Sequence, residues 1–148
     1  MRLPKGQIAE VRLKYPHMMP EDYATWTEYL GRNEGLLEEV WYDVHVGQAV
    51  KVPAGMPDWM SRVADGVSRK RIDVVARSGN VLRIIEVKNL VNMESLGQVL
   101  TYRTLFMNEY EVFGPVLAMV VGMTADLDIM ETARDLGVVV VGLEGVTA

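Results

Sequence analysis

Arg71-Ile72-Asp73-Val74-Val75-Ala76-Arg77-Ser78-Gly79-Asn80-Val81-Leu82-Arg83-Ile84-Ile85-Glu86-Val87-Lys88 is the stretch whose reading decides the fold. Ile72 to Ala76 and Val81 to Val87 are two β-rich runs broken by Ser78-Gly79-Asn80. A two-residue turn at Gly79-Asn80 joins them as a hairpin. That register sets Asp73 directly opposite Glu86. Lys88 lies two residues beyond Glu86 and projects from the same face. Val75, Leu82 and Ile84 fall on one face of the hairpin, and Val74, Ile85 and Val87 on the other. A sheet apolar on both faces must be covered on both, most simply by helices.

The flanking sequence supplies those helices. Pro20 suits the first position of a helix, with Glu21 and Asp22 in its first turn. Tyr23, Trp26 and Leu30 recur at helical spacing, and Gly31 or Asn33 ends the run. From Val40 the period is two: Val40, Tyr42, Val44 and Val46 alternate with Trp41, Asp43 and His45. This predicts a strand ending near Gly47 or running on to Val52. Residues 53–66, with Pro53, Gly55, Pro57 and Gly66, read as a loop with at most one short turn. A helix is predicted from Met93 to about Tyr110, and a buried strand over Val116 to Val121. A further helix follows, capped by Thr124 and closed by Gly137, then a last strand over Val138 to Val141. The last strand–helix–strand unit implies a crossover between parallel strands. The predicted fold class is α/β: a mixed central sheet flanked by helices on both faces, in the order α-β-β-β-α-β-α-β. Residues 1–148 read as one domain.

Composition narrows the function classes. Hydrophobic residues make up 49% and charged residues 24%, a globular balance. There are no cysteines, which excludes disulfides, thiolate zinc sites and iron–sulfur clusters. No apolar run approaches the roughly 20 residues that span a bilayer, and none follows Met1 as a secretory leader. The chain is therefore expected in the cytoplasm, of a prokaryotic cell or of a virus-infected host, with no membrane partner. Net charge is −5, which argues against a protein that coats nucleic acid non-specifically. A local basic strip remains available in Arg69, Lys70 and Arg71, with Arg62, Arg77 and Arg83 nearby.

Two carboxylates facing each other across a hairpin make a hard-oxygen site suited to Mg²⁺. Asp73 and Glu86 would be ligands, with the Val87 backbone carbonyl as a third donor. Lys88 would orient the attacking water or help deprotonate it. Phosphodiester hydrolysis needs these parts: charge stabilisation at the phosphate and a water made nucleophilic. A D…ExK string alone is weak, since charged strand ends are common. Gln98 and Tyr102, four apart on the next helix, share one face. Asp43 and His45, at i,i+2 on a strand, could form a second metal pair, but polar decoration of the face opposite Val44 accounts for them more simply. Trp26, Trp41 and Trp59 read as packing residues.

These residues resemble the PD-(D/E)xK nuclease superfamily. The likeness runs from Ile72-Asp73-Val74-Val75 through Ile84-Ile85-Glu86-Val87-Lys88 to Gln98-Val99-Leu100-Thr101-Tyr102, whose Q-x-x-x-Y step is similar to that of the RecB and lambda-exonuclease branch. Ile72 replaces the eponymous proline. The resemblance implies a restriction-endonuclease-like α-β-β-β-α-β core and a Mg²⁺-dependent DNA nuclease, with Mn²⁺ able to substitute. It implies work in repair, recombination or processing, with Asp73, Glu86, Lys88, Gln98 and Tyr102 catalytic. Gln98 and Tyr102 would also hold the nucleic acid, alongside Arg69, Lys70 and Arg71. Many members add a glutamate from the first helix. Glu28 is the candidate here, although it lies about 140° around the helix from Tyr23; Glu34, Glu38 and Glu39 are alternatives. A homodimer would present two sites to two strands, though no interface is legible. The competing reading is a catalytically inactive descendant that binds nucleic acid or serves a structural role.

Overall fold

The computed structural model describes residues 1–147. In chain order the elements are α1 (Pro20–Arg32), β1 (Glu39–Val46), α2 (Asp58–Ser68), β2 (Lys70–Ser78), β3 (Val81–Val91), α3 (Met93–Glu109), β4 (Val116–Asp126), α4 (Leu127–Asp135) and β5 (Val138–Thr147). The hairpin forms in the expected register, with Val74 opposite Ile85, Val75 opposite Ile84 and Ser78 opposite Val81. Gly79 takes a φ of +58° at the first turn position, while Asn80 stays outside the left-handed region. Glycine in that place is what a type II′ turn requires, and such a turn matches the twist of its strands.

The sheet order is β1-β2-β3-β4-β5. β1, β2 and β3 run antiparallel in succession, and β4 and β5 continue parallel to β3. The protein is thus an α/β fold with a five-stranded mixed sheet and four helices. Two apolar layers cover the sheet. Trp26, Tyr29 and Leu30 of α1 pack with Val74, Ile85 and Val87 on one face. Leu96, Val99 and Phe106 of α3, with Ala133 of α4, pack with Val75, Ile84 and Val120 on the other. Both helical stripes follow from 3.6-residue spacing, and the strands read as near-continuous apolar runs because both faces are buried.

Four expectations need correction. Residues 53–66 are not simply loop: α2 spans Asp58–Ser68, with Pro57 at its N-cap position. Its Trp59, Val63 and Val67 recur every four residues, yet Trp59 is 57% exposed and Val67 76%, and no residue of α2 is buried. Trp59 is therefore not a packing residue within the described chain. Thr124 does not cap α4 but lies in β4, paired with Leu90 and Gly145, and Asp126 holds the N-cap position. Pairing to strands on both sides carries β4 past the point where a threonine could turn it. Fourth, the alternation of β1 breaks. Val40 and Tyr42 belong to the α1-side layer, but Val44 and Val46 belong to the α3-side layer. β2 changes in step, with Val74 and Ala76 on the α1 side and Ile72 on the α3 side. The inversion falls at Asp43, whose φ is +55°. Extending the regular β1–β2 pairing sets Asp43 opposite Asp73.

The end of the hairpin turn is fixed by contact as well as by conformation. A Cβ added to Gly114 would meet the Asn80 carbonyl oxygen at 2.1 Å, whereas one added to Gly31 meets nothing within 4 Å. Gly114→Ala should therefore cost about 1–3 kcal/mol in urea unfolding. Gly31→Ala, at an exposed position of α1, should gain about 0.5 kcal/mol. Equal midpoints for the two variants would contradict this packing.

Candidate active site

The ladder between β2 and β3 is last paired at Val74 and Ile85. Beyond it, side chains replace main-chain acceptors. The Val87 N–H donates to Asp73 Oδ2 at 2.9 Å, and the Asp73 N–H donates to Glu86 Oε1 at 3.3 Å. Each carboxylate thus crosses to the other strand's backbone, and the two are held together at the point where the strands part. In an extended strand a residue's N–H and C=O point to the same side. The Val87 carbonyl therefore faces the same side as the Asp73 carboxylate.

Glu86 is 3% exposed. Burial, and after it the Asp73 charge, pushes its carboxyl up to about 9, against the Asp73 N–H and Lys88. Burial also raises Asp73, opposed chiefly by the Val87 hydrogen bond and by Lys88. Two carboxylates in one buried volume do not both ionise readily, so burial and mutual repulsion favour one proton held between Glu86 and Asp73. Lys88 is half-buried on β3 and its charge is felt by Asp73, Glu86 and Asp22.

The site draws on both faces of the sheet. Tyr102 comes from α3; burial, then Glu86 and Asp73, pushes its hydroxyl up to about 12. Gln98, one turn earlier on the same helix, has a buried Oε1 with no hydrogen-bond partner among the described residues. From α1 the acid supplied is Asp22, not Glu28. Burial, then the charges of Asp73 and Glu21, raises Asp22 to about 6, with Lys88 opposing. Glu28 is exposed and pairs with Arg32 at 2.7 Å. Glu38 and Glu39 bind Arg77, Gly79 and Gly6 toward the turn end of the hairpin, and Glu34 is exposed. Asp22 was readable in the sequence as an acid four residues before Trp26, in line with the buried stripe.

The basic run divides into three environments. Arg69 is spent inside the fold, on the Glu109 carboxylate and the carbonyls of His45 and Gly47. Lys70 is exposed. Arg71 reaches Asp43, His45 and His17.

Among the described residues no three His, Asp or Glu side chains form a ready-made metal cage. The donor set nevertheless fits a hard divalent cation. Two carboxylates are buried so close that one keeps a proton, the condition a cation relieves, and the ligands offered are oxygens throughout.

No protein-family model matches the chain, and no curated protein matches it in sequence. A solved structure, that of protein VC1899 from Vibrio cholerae, superposes on 84% of this chain with a TM-score of 0.50 and 14% sequence identity. The match covers 30% of that protein's length, and it bears on the fold alone. No described helix is long and apolar enough to cross a membrane.

The shared proton has a measurable consequence. The folded Glu86 carboxyl titrates above its ordinary value of 4.5, so folding takes up a proton. This contribution to stability is full below about 4.5 and is lost as pH rises toward about 9. In EDTA at pH 8, Glu86→Gln should therefore melt higher than wild type, by on the order of 5 °C. The gap should close at pH 5. An equal or lower melting temperature at pH 8 would rule out the shared proton.

Proposed function

We propose that this chain is a Mg²⁺-dependent DNA nuclease of the PD-(D/E)xK kind, with a restriction-endonuclease-like core, acting in DNA repair, recombination or processing. The observation that carries the reading is the reciprocal clasp of Asp73 and Glu86, with Lys88 beside it. Asp73, Glu86 and the Val87 carbonyl would hold Mg²⁺ or Mn²⁺, and Asp22 would add negative charge from α1. The cation, when bound, supplies Lewis-acid stabilisation at the phosphate and eases loss of a proton from water. The remaining roles fall to the chain itself. Lys88 orients the attacking water against the phosphate, and Asp73 keeps its charge through the Val87 N–H. Gln98 and Tyr102 line the α3 side, where the unpaired Gln98 Oε1 can accept from a base or a water and the Tyr102 hydroxyl can donate to a phosphate oxygen.

The alternative is a nucleic-acid-binding or structural component that keeps the fold without cleaving. It draws on the excess of acidic over basic side chains, 20 against 15, and on the loss of Arg69 to an internal ion pair.

Purified protein should cut DNA in Mg²⁺ or Mn²⁺ and stop when chelator is added. Asp73→Ala and Lys88→Ala should each lower the rate by about a hundredfold or more. Divalent metal should raise the melting temperature of wild type but not of Asp73→Ala. Labelled linear, single-stranded and branched DNA left intact by wild type in both metals would sink the nuclease reading.

A further inference from the structure

Arg71 is held by more structure than a surface arginine needs. A guanidinium has five N–H donors and no acceptor. Nε donates to His45 Nε2 at 3.0 Å, one terminal nitrogen to His17 Nδ1 at 2.9 Å, and the other to Asp43 Oδ2 at 3.2 Å. Asp43 Oδ1 lies 2.9 Å from Nε, out of line for a hydrogen bond, and is buried without one. Because arginine can only donate, both imidazoles accept. Two guanidinium N–H groups are also left without a partner among the described residues.

His17 and Asp43 are, among the described residues, the non-glycine positions with positive φ, at 60° and 55°. They come from different segments, yet both side chains meet the same guanidinium. Backbone of this kind persists where its surroundings over-determine it, and it gathers at ligand clamps. The cluster is open on one side, with the Arg71 side chain 30% exposed. Arg71 precedes Asp73 by two residues on β2, roughly 7 Å between their Cα atoms.

We infer that Arg71, clasped by His17, His45 and Asp43, is an oxyanion subsite for a phosphate neighbouring the one addressed by Asp73 and Glu86. The choice of a nucleic-acid phosphate rests on the nuclease reading; the donor cluster does not. Asp43 fixes the plane of the guanidinium and offsets its charge, so the subsite selects by geometry rather than by attracting any polyanion. The phosphate is either a 5′-terminal monoester or an internal diester.

The test is binding in EDTA, where cleavage plays no part. A short single-stranded DNA carrying fluorescein at its 3′ end, with a 5′-phosphate or a 5′-hydroxyl, is titrated with protein at several salt concentrations. Arg71→Gln should weaken binding about tenfold and lower the slope of log K against log salt by about one. Arg71→Lys should restore the slope but not the full affinity, since it keeps the charge and loses the fork. His17→Gln, outside the β1–β2 ladder, should cost about fivefold with the melting temperature retained. Preference for the 5′-phosphate assigns the terminal monoester, and equal binding assigns the internal diester. Folded variants that all bind like wild type would overturn the subsite. Arg71-dependent binding by a protein that cleaves nothing would keep the subsite and remove the nuclease, while cleavage and binding both indifferent to Arg71→Gln would do the reverse.

Discussion

Where the hairpin runs out of main-chain partners, two carboxylates take their place, and much of the molecule is arranged around that substitution. An amide left unpaired in a buried sheet is costly, and so is a buried charge. The Asp73 and Glu86 side chains answer the first problem by accepting from each other's strands, and they create the second. The second is met in part by a proton held between the two carboxyls and in part by Lys88. What remains is carried by the apolar layers on both faces, where Val74, Ile85 and Val87 on one side and Val75 and Ile84 on the other hold the strands at this spacing. The clasp is local, but it needs a sheet covered on both sides.

The inversion of alternation at Asp43 and Asp73 explains how one carboxylate can be reached from two layers. In a regular strand Asp73 would belong to one face, and helices on the other would be shut off by the sheet. Here Ile72 and Val44 drop toward α3 while Val74 and Tyr42 turn toward α1. Asp73 sits at the crossover between these phases. That is why Asp22 from α1 and Tyr102 from α3 both feel its charge. A left-handed aspartate is among the milder ways to make such a change, because a short polar side chain tolerates that conformation better than a branched one.

How much of this was legible in the sequence depends on which force decides each feature. The hairpin register was, because a glycine turn and two apolar runs leave one pairing that buries both faces. The helices α1 and α3 were, because their stripes are buried. The helix α2 was not, because its stripe meets no core and its prolines and glycine look like punctuation. The phase inversion was hidden, since alternation in residue type cannot report a single left-handed backbone. Asp22 was legible by its spacing from Trp26 but ambiguous in meaning, because the helix dipole already accounts for an acid in a first turn. Glu28, a glutamate of that helix, points instead to Arg32 and solvent.

The acidic balance of the chain bears less on nucleic-acid contact than its size suggests. Charges more than about 8 Å from a bound phosphate are largely screened at physiological salt. What a phosphate at the proposed site would meet is local: Asp22, the Asp73–Glu86 pair with one proton between them, and the Lys88 ammonium. That balance is slightly negative, so the clasp by itself repels a phosphodiester. Attraction has to come from a cation among the carboxylates or from donors beside them. Of the three basic residues preceding Ile72, Arg69 is bound to Glu109 and Lys70 is exposed, with no partner among the described residues to aim it. Arg71 is oriented by three side chains and still has N–H groups to give. A net charge of −5 is therefore compatible with the proposed phosphate contact, made through a few oriented donors rather than a field.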